Sequence, residues 1–125
     1  MEGRLAGRVA VVTGAGSGIG RATVRRVGSE GARVVAVDLD QATGQAAADE
    51  VGGTFFACDV ADEAQVSNLF AQIYDLYGRV HIAFNNAGSS PPEDDSILTT
   101  GMEAWDRVQR VNLTSVYLCC KAALP

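Results

Sequence analysis

Four short apolar runs, each followed by a stretch of helical spacing, leave this chain few folds to choose from. The runs are "RVAVVT" (8–13), "RVVAVD" (33–38), "TFFACD" (54–59) and "VHIAFN" (80–85). They are apolar almost throughout rather than alternating, the mark of strands in a parallel sheet buried on both faces. Between them, "GIGRATVRRVGSEGA" places Ile19, Ala22, Thr23 and Val27 at helical spacing. "DQATGQAAADEVGG" is helical and stops at Gly52 and Gly53. "DEAQVSNLFAQIYDLYG" sets Val66, Leu69, Phe70, Ile73, Leu76 and Tyr77 on one face before Gly78. A long helix is expected from about Met102, with Trp105, Val108, Val111, Val116 and Cys119 or Cys120 on its apolar side. Right-handed crossovers then give an α/β fold with a doubly wound parallel sheet. The segment 89–96, rich in Pro, Ser and Asp, reads as a loop over a site rather than an interdomain linker, because one pattern continues on either side of it.

The 125 residues suffice for one compact domain. A formal net charge of −5, with basic residues scattered, speaks against nucleic acid and anionic membrane as partners. "MEGRLAGR" lacks the apolar core of a signal peptide, and no apolar run approaches a membrane span. Cys58, Cys119 and Cys120 form no CxxC pair, and His81 is the only histidine, so neither a zinc site nor a disulfide framework is expected. Reduced cysteines acting as small apolar fillers fit a cytoplasmic protein.

Residues 13–20 read "TGAGSGIG" between the first strand and the first helix. A helix N-terminus offers unpaired N–H groups and the positive end of the helix dipole to a phosphate. Glycines let the ligand approach that backbone and permit φ > 0. A P-loop is excluded because the chain has no Gly-Lys pair, and GxGxxG fails because position 19 is Ile and position 21 is Arg. Thr-Gly-x-x-x-Gly-x-Gly fits, as Thr13, Gly14, Gly18 and Gly20, with Gly16 extra. A tight turn without a ligand would use such glycines too. Asp38 weighs against it: it ends the second strand 18 residues after Gly20, where a carboxylate accepts from an adenosine ribose. Asp40 is available to cap the next helix.

Together these motifs resemble the N-terminal half of a classical short-chain dehydrogenase/reductase, a Rossmann-like fold, over essentially the whole chain. "TGAGSGIG" is similar to the family's glycine motif, "CDV" (58–60) to its adenine-contacting Asp-Val, and "NNAG" (85–88) to its signature after the fourth strand. "WDRVQRVNLTSVYLCCKAALP" resembles its following helix, with Asn112 at the catalytic Asn. The resemblance implies a nicotinamide dinucleotide and a small carbonyl or alcohol substrate. Gly14, Gly18 and Gly20 would line the phosphates, with the Ile19 N–H near the pyrophosphate and Thr13, Gly16 and Ser17 completing the turn. Asp38, beside Leu39, would bind the ribose. Asp59 and Val60 would flank the adenine, although Asp59 could serve only a helix start. Asn85, Asn86, Ala87 and Gly88 would line the nicotinamide side, although Asn85 could serve mainly to pair backbone groups.

NAD is favoured over NADP. A 2′-phosphate about 4 Å from the Asp38 carboxylate would be repelled by about 4 kcal/mol at an effective dielectric of about 20, before relaxation and screening. Position 17 is Ser and no Arg follows Asp38 directly, so no cation balances that phosphate.

Family members also use a Ser and a Tyr-x-x-x-Lys pair. Tyr117 and Lys121 fit the spacing in "YLCCK" but share a helix with Asn112, where the family places that pair on the next one. The chain therefore reads as the cofactor-binding half of a single domain, ending before a fifth strand. Its fourth strand would form a bare edge, and these residues alone are expected to be poorly soluble or partly molten, associating through an exposed apolar face. The full-length form is expected to be an oligomer. Two functions stay open: an NAD-dependent oxidoreductase of which this is the dinucleotide-binding half, or a catalytically inactive dinucleotide- or partner-binding module.

Overall fold

A computed structural model describes residues 3–124. Four parallel strands, β1 (Val9–Thr13), β2 (Arg33–Asp38), β3 (Thr54–Ala57) and β4 (Ile82–Phe84), lie in the order β3-β2-β1-β4. Helices α1 (Gly18–Ser29), α2 (Gln41–Glu50) and α3 (Glu63–Tyr77) make the crossovers; α4 (Met102–Gln109) and α5 (Ser115–Ala123) follow β4. Segment 89–96 lies in the connection from β4 to α4.

The sheet is covered on both faces. Val9, Val11, Val35 and Val37 pack towards α3 and α5, against Val66, Phe70, Ile73 and Cys119. Val12, Val34 and Ala36 pack towards α1 and α2, against Val24, Ala47 and Ala48. Every residue of β1 is buried, because it is a central strand with helices above and below; that is why its sequence carries no polar alternation. β4 pairs only with β1, and Ile82 and Phe84 are half-buried. His81, given no role by the sequence, extends this pairing: the Val9 N–H donates to His81 Nδ1 at 2.9 Å and the His81 N–H to the Val9 carbonyl at 3.0 Å.

Two helix faces differ from expectation. In α1 the buried residues are Gly20 and Val24, while Ile19 is 71% exposed. A Cβ on Gly20 would stand 2.0 Å from the Gly14 carbonyl oxygen. The helix thus lies on its glycine face, and the apolar Ile19 is turned outward. The long helix from Met102 is interrupted by a π-helical turn, Arg110–Thr114. Its buried residues are Ala104, Ser115, Leu118 and Cys119, so Cys119 lies inside as expected, while Trp105 is half exposed.

Candidate functional site

At the carboxyl ends of the strands the chain turns repeatedly around one cleft of about 450 Å³. The first wall is the glycine turn. Gly14 and Gly18 have φ of +63° and +55°, which an L side chain adopts only with strain. Ser17 is the N-cap of α1, with extended backbone, yet its side chain makes no capping hydrogen bond. Asp40 and Asp62 behave differently: they cap α2 and α3, accepting from the Thr43 and Gln65 N–H groups at 3.0 Å each. The N-terminus of α1 is therefore left to an outside acceptor, and a phosphate is the natural one. Gly14 and Ser17 border the cleft. Gly16 and Gly20 support the turn from behind, and Gly18 and Ile19 open the helix.

The second wall comes from β2 and β3. Asp38 and Leu39 line it at the exit of β2, and Asp59 and Val60 beyond β3. Asp38 Oδ2 accepts from the Gly16 N–H at 2.8 Å, and Oδ1 from the Asp40 N–H at 3.0 Å. The Asp59 Oδ1 accepts from the Ala61 N–H at 3.0 Å and its own N–H donates to Gln65 Oε1 at 2.9 Å. Asp59 thus shapes the entry to α3 as well as bordering the cleft, while Asp62 is the cap. Cys58, which the sequence treats only as filler, also lines this wall. Burial, above all, pushes its thiol up to about 11, so it stays neutral at ordinary pH.

The third wall is the segment after β4. Thr13 ties it down: its buried hydroxyl oxygen accepts from the Asn86 N–H at 3.0 Å and the Ala87 N–H at 3.1 Å. Asn86, Ala87 and Gly88 border the cleft. Asn85 is turned to α5 instead, its Nδ2 donating to Cys120 Sγ at 3.5 Å. Asn112, in the π-helical turn, stands behind this wall. Its Oδ1 accepts from the Ser89 N–H at 2.6 Å and its Nδ2 donates to the Ser89 carbonyl at 3.0 Å. The side chain of the expected catalytic Asn is thus engaged in holding a loop.

The fourth wall is the one missed from sequence: Arg107 of α4 and Val111 of the π-helical turn. Among the described residues Arg107 is the only basic one lining the cleft, facing a lining that contains Asp38 and Asp59. Only the i, i+4 relation between Arg107 and Val111 could have suggested it. Tyr117 and Lys121 do not border the cleft. Lys121 Nζ lies 5.8 Å over the Tyr117 ring, and Lys121 faces a groove towards α3.

The family model described as short chain dehydrogenase matches residues 8–125. Secoisolariciresinol dehydrogenase of Forsythia intermedia is 37% identical over 96% of this chain and 44% of its own length. D-threitol dehydrogenase of Mycolicibacterium smegmatis is 39% identical over 95% of this chain and 47% of its own. Among solved structures, the citronellol catabolism dehydrogenase of Pseudomonas aeruginosa superposes with a TM-score of 0.89 at 32% identity, covering 99% of this chain and 52% of that one. The chain thus spans about half the length of the relatives it matches. It belongs to the short-chain dehydrogenase family.

Proposed function

We propose that the cleft binds NAD, and that the protein carrying this chain is an oxidoreductase acting on a small carbonyl compound or secondary alcohol. The observation that carries this is the uncapped N-terminus of α1 at the glycine turn, with Asp38 in the same cleft. One feature offers N–H donors to a diphosphate; the other offers a carboxylate to a ribose diol. Bound nicotinamide would supply the hydride-transferring carbon. The protein's part is to bind and orient. Gly14, Gly18 and Gly20 keep the diphosphate's approach free of side chains, and the Ile19 N–H, in the first turn of α1, would donate to it. Asp59 and Val60 border the adenine end. Asn86, Ala87 and Gly88 border the opposite end, held there by Thr13 and, through Ser89, by Asn112.

NAD is preferred to NADP because the carboxylate of Asp38 repels a 2′-phosphate. Even a third of the roughly 4 kcal/mol contact repulsion approaches a tenfold preference. The chain is read as the cofactor-binding half of one domain in a cytoplasmic protein, without nucleic acid or membrane partners, that self-associates through apolar surface. Ile97, Leu98 and Leu124 are each more than four-fifths exposed. No helix among the described residues is long and apolar enough to cross a membrane.

Among the described residues no tyrosine or lysine borders the cleft. For these 125 residues taken alone this favours a second reading, a dinucleotide-binding module without turnover. Titration calorimetry with NAD and NADP tests the first. NAD is expected to bind about tenfold or more tightly than NADP, and Asp38→Ala to erase the difference. Failure of NAD to bind, or binding of NADP as tight as that of NAD, would overturn the reading.

A further inference from the structure

Asp38 reaches the cleft with both carboxylate oxygens already engaged by backbone. The bond from the Gly16 N–H to Oδ2, 2.8 Å long, joins residues 22 apart and ties the exit of β2 to the middle of the glycine turn. The turn is pressed onto this anchor. A Cβ on Gly16 would lie 3.0 Å from Asp38 Oδ2 and 2.5 Å from Thr43 Oγ1. The neighbouring Ala15 N–H donates to the Val37 carbonyl at 3.1 Å, so two successive N–H groups of the turn are fixed to β2. Beyond Gly16 come the uncapped Ser17 and the positive-φ Gly18, the part that faces a diphosphate.

We infer that Asp38 is a positioning residue for the phosphate end of the site as well as a recognition residue for its ribose end. Its carboxylate clamps the glycine turn through the Gly16 N–H. A carboxylate oxygen has two acceptor positions, so a ribose hydroxyl can be accepted while the clamp stays closed. The clamp itself exists without ligand; only the coupling of the two ends rests on the NAD reading. Replacing Asp38 to admit a 2′-phosphate would then loosen the grip on the diphosphate of either dinucleotide.

The test uses the protein as its gene encodes it, with Asp38→Ala and Asp38→Asn. Amide hydrogen exchange is read at Gly16 without ligand, with Val12 in β1 as internal reference. Binding is measured for NAD and for an NAD analogue lacking both hydroxyls of the adenosine ribose. Gly16 exchange relative to Val12 is expected to rise about tenfold or more in Asp38→Ala, and less in Asp38→Asn, whose amide oxygen replaces only one of the two carboxylate oxygens that accept from Gly16 and Asp40. Affinity for the analogue, which cannot use Asp38 directly, should fall at least about fivefold in Asp38→Ala. Unchanged Gly16 exchange in Asp38→Ala overturns the clamp; should that variant not fold, Asp38→Leu, close in shape to aspartate but without any acceptor, is read in its place. An analogue that binds Asp38→Ala as tightly as the unsubstituted protein overturns the coupling. Equal affinity of the unsubstituted protein for NAD and the analogue overturns the ribose reading and leaves the clamp to be decided by exchange.

Discussion

Three helices leave the carboxyl edge of the same sheet, and their first turns are built in opposite ways. α2 and α3 close their own N-termini with Asp40 and Asp62, the residues that intrinsic preference would choose. α1 begins with Ser17, an equally good capping residue in the correct extended conformation, whose side chain caps nothing. The difference locates the site better than any single motif. α2 and α3 satisfy orphan N–H groups internally; α1, where we propose that an anion is held, leaves them open among glycines.

The sharpest way to break that comparison is Gly20→Ala. Its methyl would meet the Gly14 carbonyl oxygen at 2.0 Å, a backbone atom that cannot swing aside. We expect a stability loss of about 3 kcal/mol in chemical denaturation, and NAD binding beyond detection by calorimetry. Normal stability and affinity in the Gly20→Ala variant would mean that α1 does not need to lie on its glycine face.

A subtler change turns α1 into a helix like its neighbours. Ser17→Asp supplies a carboxylate in N-cap geometry and a negative charge at the positive end of the dipole, worth about 0.5–1 kcal/mol of stability. The same carboxylate takes the N–H groups that a diphosphate would use, and NAD affinity should fall about tenfold or more, equivalent to about 1.4 kcal/mol. A rise in melting temperature with unaltered NAD affinity would show that the phosphates bind elsewhere.

How far this site can be read without coordinates depends on how local each contact is. The glycine turn and Asp38 are legible because spacing within one strand–turn–helix unit determines them. The burial of Gly20 and exposure of Ile19 are not, since hydrophobic periodicity assumes that the apolar residue faces inward, and close backbone approach reverses that rule. Periodicity also puts the large apolar Trp105 inside, whereas the small Ala104 beside it is the residue that packs inward. The bonds from Asn86 and Ala87 to Thr13 span more than 70 residues, and that between Asn112 and Ser89 spans 23. Family resemblance could mark these residues as important, but not that one hydroxyl fastens β1 to the chain after β4. Arg107 is invisible for a related reason: its place in the cleft depends on where α4 docks.

The internal caps offer the converse experiment. Asp40→Ala and Asp62→Ala should each lower stability by about 1 kcal/mol, seen as a lower denaturation midpoint, with NAD affinity unchanged. The Thr43 N–H holds the Asp40 carboxyl below its ordinary range. The Asp40 cap is therefore fully present above that range and lost on acidification below it; Asp40→Ala should lose that part of the acid sensitivity.

The smallest effect concerns what α1 has in place of a cap. Its middle is tied to the end of α2: Arg25 Nε donates to Glu50 Oε2 at 2.7 Å, and Arg21 pairs with the same carboxylate. These contacts, the hydrogen bond from Arg25 first, hold the Glu50 carboxyl down to about 2. A lowered folded-state pKa stabilises above the unfolded value and ceases to do so as pH falls through the folded one. The contribution is thus complete above about pH 4.5 and disappears towards pH 2. The pair is exposed, so salt screens it and the change in melting temperature will be small. Glu50→Gln should flatten the melting temperature between about pH 4.5 and 2 relative to the unsubstituted protein, and about 1 M salt should shrink the difference. If the two proteins lose stability in parallel across that window, α1 is not held by Glu50. The closed Gly20–Gly14 contact would then be what fixes the open end of the helix in place.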